Sequence, residues 1–455
     1  MKNKGVVLSL NQLTAISPVD GRYADRTVNL RNFFSEYALI QYRIKIEVEY
    51  FKALCDILPQ LKDFPREKFG VLDSLVENFS EDVAFIIKAK EKVTAHDMKA
   101  VEYYLRDVFD QNDIGQYKEF IHFGLTSYDI NSPAVNEMLF DALCDVIIPA
   151  LEDLSCFIHG LSSAWMNIPM LAHTHGQPAS PTMLGKEIRV FVERLDKLIQ
   201  QLKNYQFEAK FGGATGNFNA HYLAYPDIDW HQWANKFLMD KFGLVRQQTT
   251  TQIENYDNLA EIFDICKRIN TVFIDMARDM WSYISMNYFN QKPKKDEVGS
   301  SAMPHKVNPI DFENGEGNAG IAIALFEHLS TKLPVSRLQR DLSGSTVERI
   351  IGIPFSHMLI AIGSLKKAFG KVEPNVREIM CDLQSNWAVV SEGIQTILRR
   401  ENYPDPYSAL KELTRIGENG VISKEMIHYW IDKLQLSNDV KDELKAITPF
   451  NYVGK

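Results

Sequence analysis

Five long stretches in the middle of this chain repeat apolar residues three and four positions apart. A chain built that way buries its apolar stripes by packing helix on helix. One stretch runs from Ser132-Pro133, read as an N-cap and a first-turn proline, to about Met166, with a kink expected at Pro149. Others cover Gly185 to Tyr205 (Ile188, Val192, Leu195, Leu198, Ile199, Leu202) and Asp257 to Met286 (Leu259, Ile262, Phe263, Cys266, Ile269, Phe273, Met276, Met280). The last two cover Pro309 to Leu333 and Val347 to Lys367, the latter with Pro354 inside it. A shorter helix is expected over residues 97–110. Alternating strand patterns are few, so the fold class is all-α, with a helical bundle at its centre.

At 455 residues the chain is too long for one core. Soft boundaries near residue 118 and at Gly370 to Pro374 divide it into an N-terminal helical domain (1–118), a central bundle (119–368) and a C-terminal helical domain (369–455). The net charge of -9 disfavours nucleic-acid binding, which needs clustered cations, but leaves room for a local anion pocket. The N-terminus lacks the unbroken apolar run of a signal peptide, and no apolar run is expected to span a membrane. The five scattered cysteines suit reduced thiols in a cytoplasmic protein.

Three segments are dense in chemistry-bearing residues. Gly299 to Asn318, GSSAMPHKVNPIDFENGEGN, is a loop that becomes a helix and carries Ser300, Ser301, His305, Lys306, Asn308 and Glu313. Lys306 can neutralise a carboxylate, Asn308 can donate to one, and a Gly-Ser backbone can form an anion nest. Thr174 to Thr182, THGQPASPT, places His175 in a turn, as a general acid or base or as a satisfied structural histidine. Thr94 to Tyr104 places His96-Asp97 at a helix start, as a cap or facing a ligand. Arg22 and Tyr23 in the turn DGRY, Arg340, and Ser345, Thr346 and Arg349 near a helix start suit phosphate, although salt bridging is the default for any single arginine. P-loop, GxGxxG, HExxH and GxSxG motifs are absent, as is metal-ligand spacing.

The loop GSSAMPHKVNP (residues 299–309) resembles the GSSxMPxKxNP signature of the fumarase/aspartase superfamily. Within it the chain is similar to the bacterial-type adenylosuccinate lyases, on SPVDGRY (17–23), HDMKAVEYYL (96–105), HFGLTSYDIN (122–131), THGQPASP (174–181), TTQIE (250–254), PHKVNPIDFEN (304–314) and KLPVSRLQRDL (332–342). The resemblance implies three helical domains, a homotetramer joined through the central bundles, active sites shared between subunits, and no cofactor. It implies fumarate elimination from adenylosuccinate, giving AMP, and from SAICAR, giving AICAR, in purine nucleotide biosynthesis.

By family position Ser300 is the base, Lys306 and Asn308 bind the succinyl carboxylate, His175 is the acid and Glu313 keeps it charged. Residue types alone leave His96 open as the acid. Arg22, Tyr23, Arg340, Ser345 and Arg349 grip the phosphate; Thr126, Ser127 and Gln252 contact the succinyl group or the nucleotide. Ala95, His96, Asp97, Val307, Asn314 and Thr346 complete the implied substrate contacts. The sequence departs from the family's habit at Ala95 (often Asn), Tyr128 (Glu), His173 (Arg), Gly213 (Asn) and Asn255-Tyr256 (Pro-His). A sibling lyase acting on argininosuccinate, malate, aspartate or carboxymuconate, and a non-catalytic relative, are the competing readings.

Overall fold

A computed structural model describes residues 9–292, 307–416 and 422–454. Helices dominate it, and among the described residues the strands form three two-stranded sheets. This is the all-α architecture read from the periodicity. Helices Asp97–Gln111, Leu184–Lys203, Asp257–Ser285 and Ile310–Lys332 fall within about two residues of the stretches that predicted them.

Two helix boundaries differ from expectation. Ser132-Pro133 does not start a helix; Pro133 lies inside the helix Ser127–Ala142, whose cap is Thr126. Thr126 and Asp129 form a reciprocal capping box, which satisfies the helix start and offsets the hydrogen bond lost at Pro133. The break before Pro149 is a π-helical turn, Leu143–Ile147. The segment expected from Val347 is two helices, Ser343–Glu348 and Gly352–Phe369, with a turn at 349–351, and Pro354 stands in the first turn of the second. Taken together, Ser343–Phe369 is long and apolar enough to cross a membrane by length and composition, but half of its most apolar stretch is buried in the protein, as a core helix would be.

The chain groups into two compact units. The first comprises residues 1–152, 198–271 and 317–363. Its centre is aromatic and aliphatic: Phe326 meets Phe355 edge-on at 5.0 Å and stacks on Phe263 at 6.0 Å. Such pairs add about 0.5–1.5 kcal/mol each beyond the area they bury.

A polar network is also buried in this unit. Asp129 and Lys210 are fully buried and paired at 2.7 Å. Asp129 also accepts from the backbone N–H groups of Gly212 (2.7 Å) and Gly213 (3.1 Å). Gly213 has φ +76°, a conformation that glycine and asparagine adopt readily, which accounts for the exchange of one for the other here.

The second unit comprises residues 153–197, 272–316 and 364–455. Its C-terminal helices close over Trp387, Ile394, Leu398, Leu413, Trp430 and Ile431. It also holds the hairpin Pro169–Thr174/Gln177–Met183, which the helical reading of the sequence left as a turn.

Candidate active site

In the first unit a cavity of about 400 Å³ opens among helix ends, within the usual range for a small-molecule site. Ala95, His96, Asp97, Ser127, Arg340, Ser345 and Arg349, all singled out in the sequence, line it. His96 caps the helix Asp97–Gln111: its Nδ1 accepts from the backbone N–H of Lys99 at 3.2 Å. The cap and ligand readings of His96 are therefore compatible, because its half-exposed ring lines the cavity and has a second nitrogen not used in the cap. Ala95 ends the preceding helix at φ +52°, where the family's asparagine would rest with less strain.

Two of the cavity's three arginines are already oriented by carboxylates. Arg349 donates to Glu36 at 2.9 Å and to Asp97 at 3.3 Å. Arg43, which the sequence reading missed, donates to Asp97 at 2.8 Å and also lines the cavity. These guanidiniums hold the Asp97 carboxyl below its usual range against the opposing effect of burial. Arg340 donates to Gln252 at 3.1 Å, so Gln252 is drawn to the rim. Thr126 stands immediately before Ser127 as the helix cap. Thr346 is exposed, one residue after Ser345. Arg22 and Tyr23 are not among the lining residues; Arg22 lies over the Tyr23 ring at 5.9 Å, in the turn the sequence predicted.

The remaining predicted residues belong to the second unit or lie outside the described residues. Ser300 and Lys306, with Ser301 and His305, lie outside. His175 and Gly176 are the two residues of the hairpin loop, at φ +53° and +73°. Positive φ at both central positions fits the turn to the twist of the strands. The loop sets the His175 ring at an exposed tip. Glu313 is exposed on the helix Ile310–Lys332 and accepts from the Trp281 indole N–H at 3.2 Å. Asn314 accepts from Ser364 at 2.7 Å, and the Val307 carbonyl accepts from Gln291 at 2.8 Å. Asn308 stands one residue later, before the helix. His173 lies 3.9 Å from Asp382, which the Tyr288 hydroxyl also reaches. Among the described residues no group of three or more His, Cys, Asp or Glu side chains is placed to hold a metal ion.

The family described as Lyase matches residues 21–323, and that described as Adenylosuccinate lyase C-terminal matches residues 336–453. The chain is 51% identical over 457 aligned positions to adenylosuccinate lyase of Dictyostelium discoideum, covering 98% of each chain. It is 44% identical to the Escherichia coli (strain K12) adenylosuccinate lyase, again over 98% of each. Among solved structures it resembles a 3-carboxy-cis,cis-muconate lactonizing enzyme from Pseudomonas putida, with TM-score 0.73, 18% identity and 94% of each chain covered. A fumarate lyase from Mesorhizobium sp. BNC1 gives TM-score 0.73 at 16% identity, over 94% of this chain and 95% of that one. At such identities these two bear on the fold alone. With 98% of its length aligned to the Dictyostelium discoideum and Escherichia coli adenylosuccinate lyases at 51% and 44% identity, the chain belongs to the adenylosuccinate lyases of the fumarase/aspartase superfamily.

Proposed function

We propose that the protein eliminates fumarate from adenylosuccinate, leaving AMP, and from SAICAR, leaving AICAR. The observation that carries this reading is the cavity in which Arg340 and Arg349 stand with Ser345, Ser127 and His96. A substrate with a phosphate at one end and a dicarboxylate at the other needs guanidiniums and hydroxyls for the first. Malate and aspartate carry no phosphate for them to bind.

In the reaction, Ser300, as its alkoxide, takes a proton from the succinyl carbon next to a carboxylate. The electron pair left behind is held as an aci-carboxylate, opposite Lys306 and Asn308. It then forms the fumarate double bond as the C–N bond breaks, and His175 delivers a proton to the departing nitrogen. Glu313 of a neighbouring subunit keeps His175 charged. Arg22 and Tyr23 join the phosphate grip, and His96 stands nearer the phosphate than the reacting carbon.

The organisation proposed with it is three domains (1–118, 119–368, 369–455) and a cytoplasmic homotetramer with active sites shared between subunits.

Purified protein should release fumarate from adenylosuccinate and not from argininosuccinate, malate or aspartate. Release from one of the latter instead would discard the nucleotide assignments. His175→Asn, which keeps the turn but carries no titratable ring, is expected to lower kcat about 100-fold at neutral pH. Full activity in that variant would move the acid role to His96.

A further inference from the structure

We propose that Glu348 is a positioning residue: clamped by the phenols of Tyr128 and Tyr256, it fixes the arginine-bearing segment that grips the nucleotide phosphate. This rests on the nucleotide reading above. Two positions that depart from the family's habit, separated by more than a hundred residues, converge on one carboxylate. Tyr256 donates to Oε1 of Glu348 at 2.7 Å and Tyr128 donates to Oε2 at 3.2 Å. Both phenols are almost fully buried, at 1% exposure each.

The clamp matters because of what Glu348 belongs to. It ends the short helix Ser343–Glu348, which carries Ser345 and is followed at once by Arg349. No residue of that helix is buried, and Leu342 before it is 71% exposed. Hydrophobic packing therefore does little to locate it, and directional polar contacts must do so. The same Tyr128 ring also offers its face to the Arg340 guanidinium, 5.0 Å from the centroid. One phenol thus ties Arg340 to the carboxylate that precedes Arg349. Tyr128 stands in the first turn of the helix Ser127–Ala142, and Tyr256 immediately precedes the helix Asp257–Ser285, so the clamp is fastened to two long, rigid elements.

A carboxylate lining an anion site would ordinarily oppose the ligand. Here both oxygens accept hydrogen bonds from the phenols, and burial raises the carboxyl above its usual range despite those hydrogen bonds and the nearby Arg43 and Arg349. Its two oxygens are engaged by the phenols, so the carboxyl anchors the segment that carries Ser345 and Arg349.

The test is steady-state kinetics with adenylosuccinate beside direct titration of AMP and of fumarate, on wild type, Glu348→Leu, Glu348→Gln, Tyr128→Phe and Tyr256→Phe. Glu348→Leu removes both acceptors and is expected to raise KM and the Kd of AMP about 10-fold or more. The Kd of fumarate and kcat should stay within about twofold, because fumarate occupies the other end of the site. Glu348→Gln keeps an acceptor oxygen and should recover most of the AMP affinity. If Glu348→Leu does not fold, the two phenylalanine variants carry the same split, each with a smaller rise. Unchanged AMP affinity in every folded variant, or equal losses for AMP and fumarate, overturns the proposal. Failure of the wild type itself to bind AMP overturns the nucleotide reading instead.

Discussion

Ser300→Ala is expected to lower kcat for adenylosuccinate by about 10⁴-fold, the upper end for loss of a general base. The reason is chemical: alanine offers no oxygen to accept the proton. AMP affinity should stay within about twofold, since interactions confined to the phosphate end do not depend on the base. The arginines proposed to hold that end, Arg340 and Arg349, line a cavity of the first unit. Stopped turnover with undiminished AMP titration is the expected pair of results. A variant that still turns over at a tenth of the wild-type rate or better would take the base role away from Ser300.

Lys210→Met is expected to destabilise the protein by about 3–5 kcal/mol, because it strips a buried carboxylate of its counter-charge. Asp129 and Lys210 are both fully buried. Burial pulls the Lys210 ammonium below its usual range, and Asp129 opposes that pull. Methionine fills much of the same volume, so the loss reports charge and hydrogen bonding more than a cavity. The Lys210 ammonium also donates to the Gly213 carbonyl at 2.6 Å, a second partner that methionine leaves unsatisfied. Urea unfolding of the variant beside Asp129→Asn and the double substitution measures the pair directly. A loss below about 1 kcal/mol would mean that the network relaxes or admits water. The same variant should bind nucleotide less well, since Asp129 completes the cap of the helix that begins at Ser127.

What could be read in advance follows the range of the interactions. The long helices were legible because their apolar stripes are local, repeating every three or four residues: Asp257–Ser285 was placed almost to its ends. The capping box at Thr126 was also local, and its T-x-x-D signal is present in the sequence, but Pro133 drew the boundary to itself. The hairpin around His175 was half legible: Gly176 and the prolines marked a turn, while strands of Pro, Ala, His and Ser carry little strand propensity.

The cavity was legible only as a set of segments. His96, Ser127, Arg340 and Arg349 were named one by one, and their meeting in one cavity is a property of the fold. Arg43 was invisible, since nothing marks one arginine inside a long helix until Asp97 stands beside it. The Asp129–Lys210 pair and the Tyr128–Glu348–Tyr256 clamp were hidden for the same reason: partners 81, 220 and 92 residues apart leave no local pattern.

The hairpin loop has a consequence for how the protein can evolve. Its first residue must hold φ near +53°, a conformation asparagine accepts more readily than histidine, and Asn-Gly is the favoured pair for such a turn. At residue 175, then, selection for a durable fold and selection for proton delivery pull toward different amino acids. A population screened only for heat resistance should drift toward asparagine there and arrive at a sturdier protein that turns over its substrate about 100-fold more slowly. On the role proposed for His175, the fold is held slightly short of its own optimum so that a ring can carry a proton.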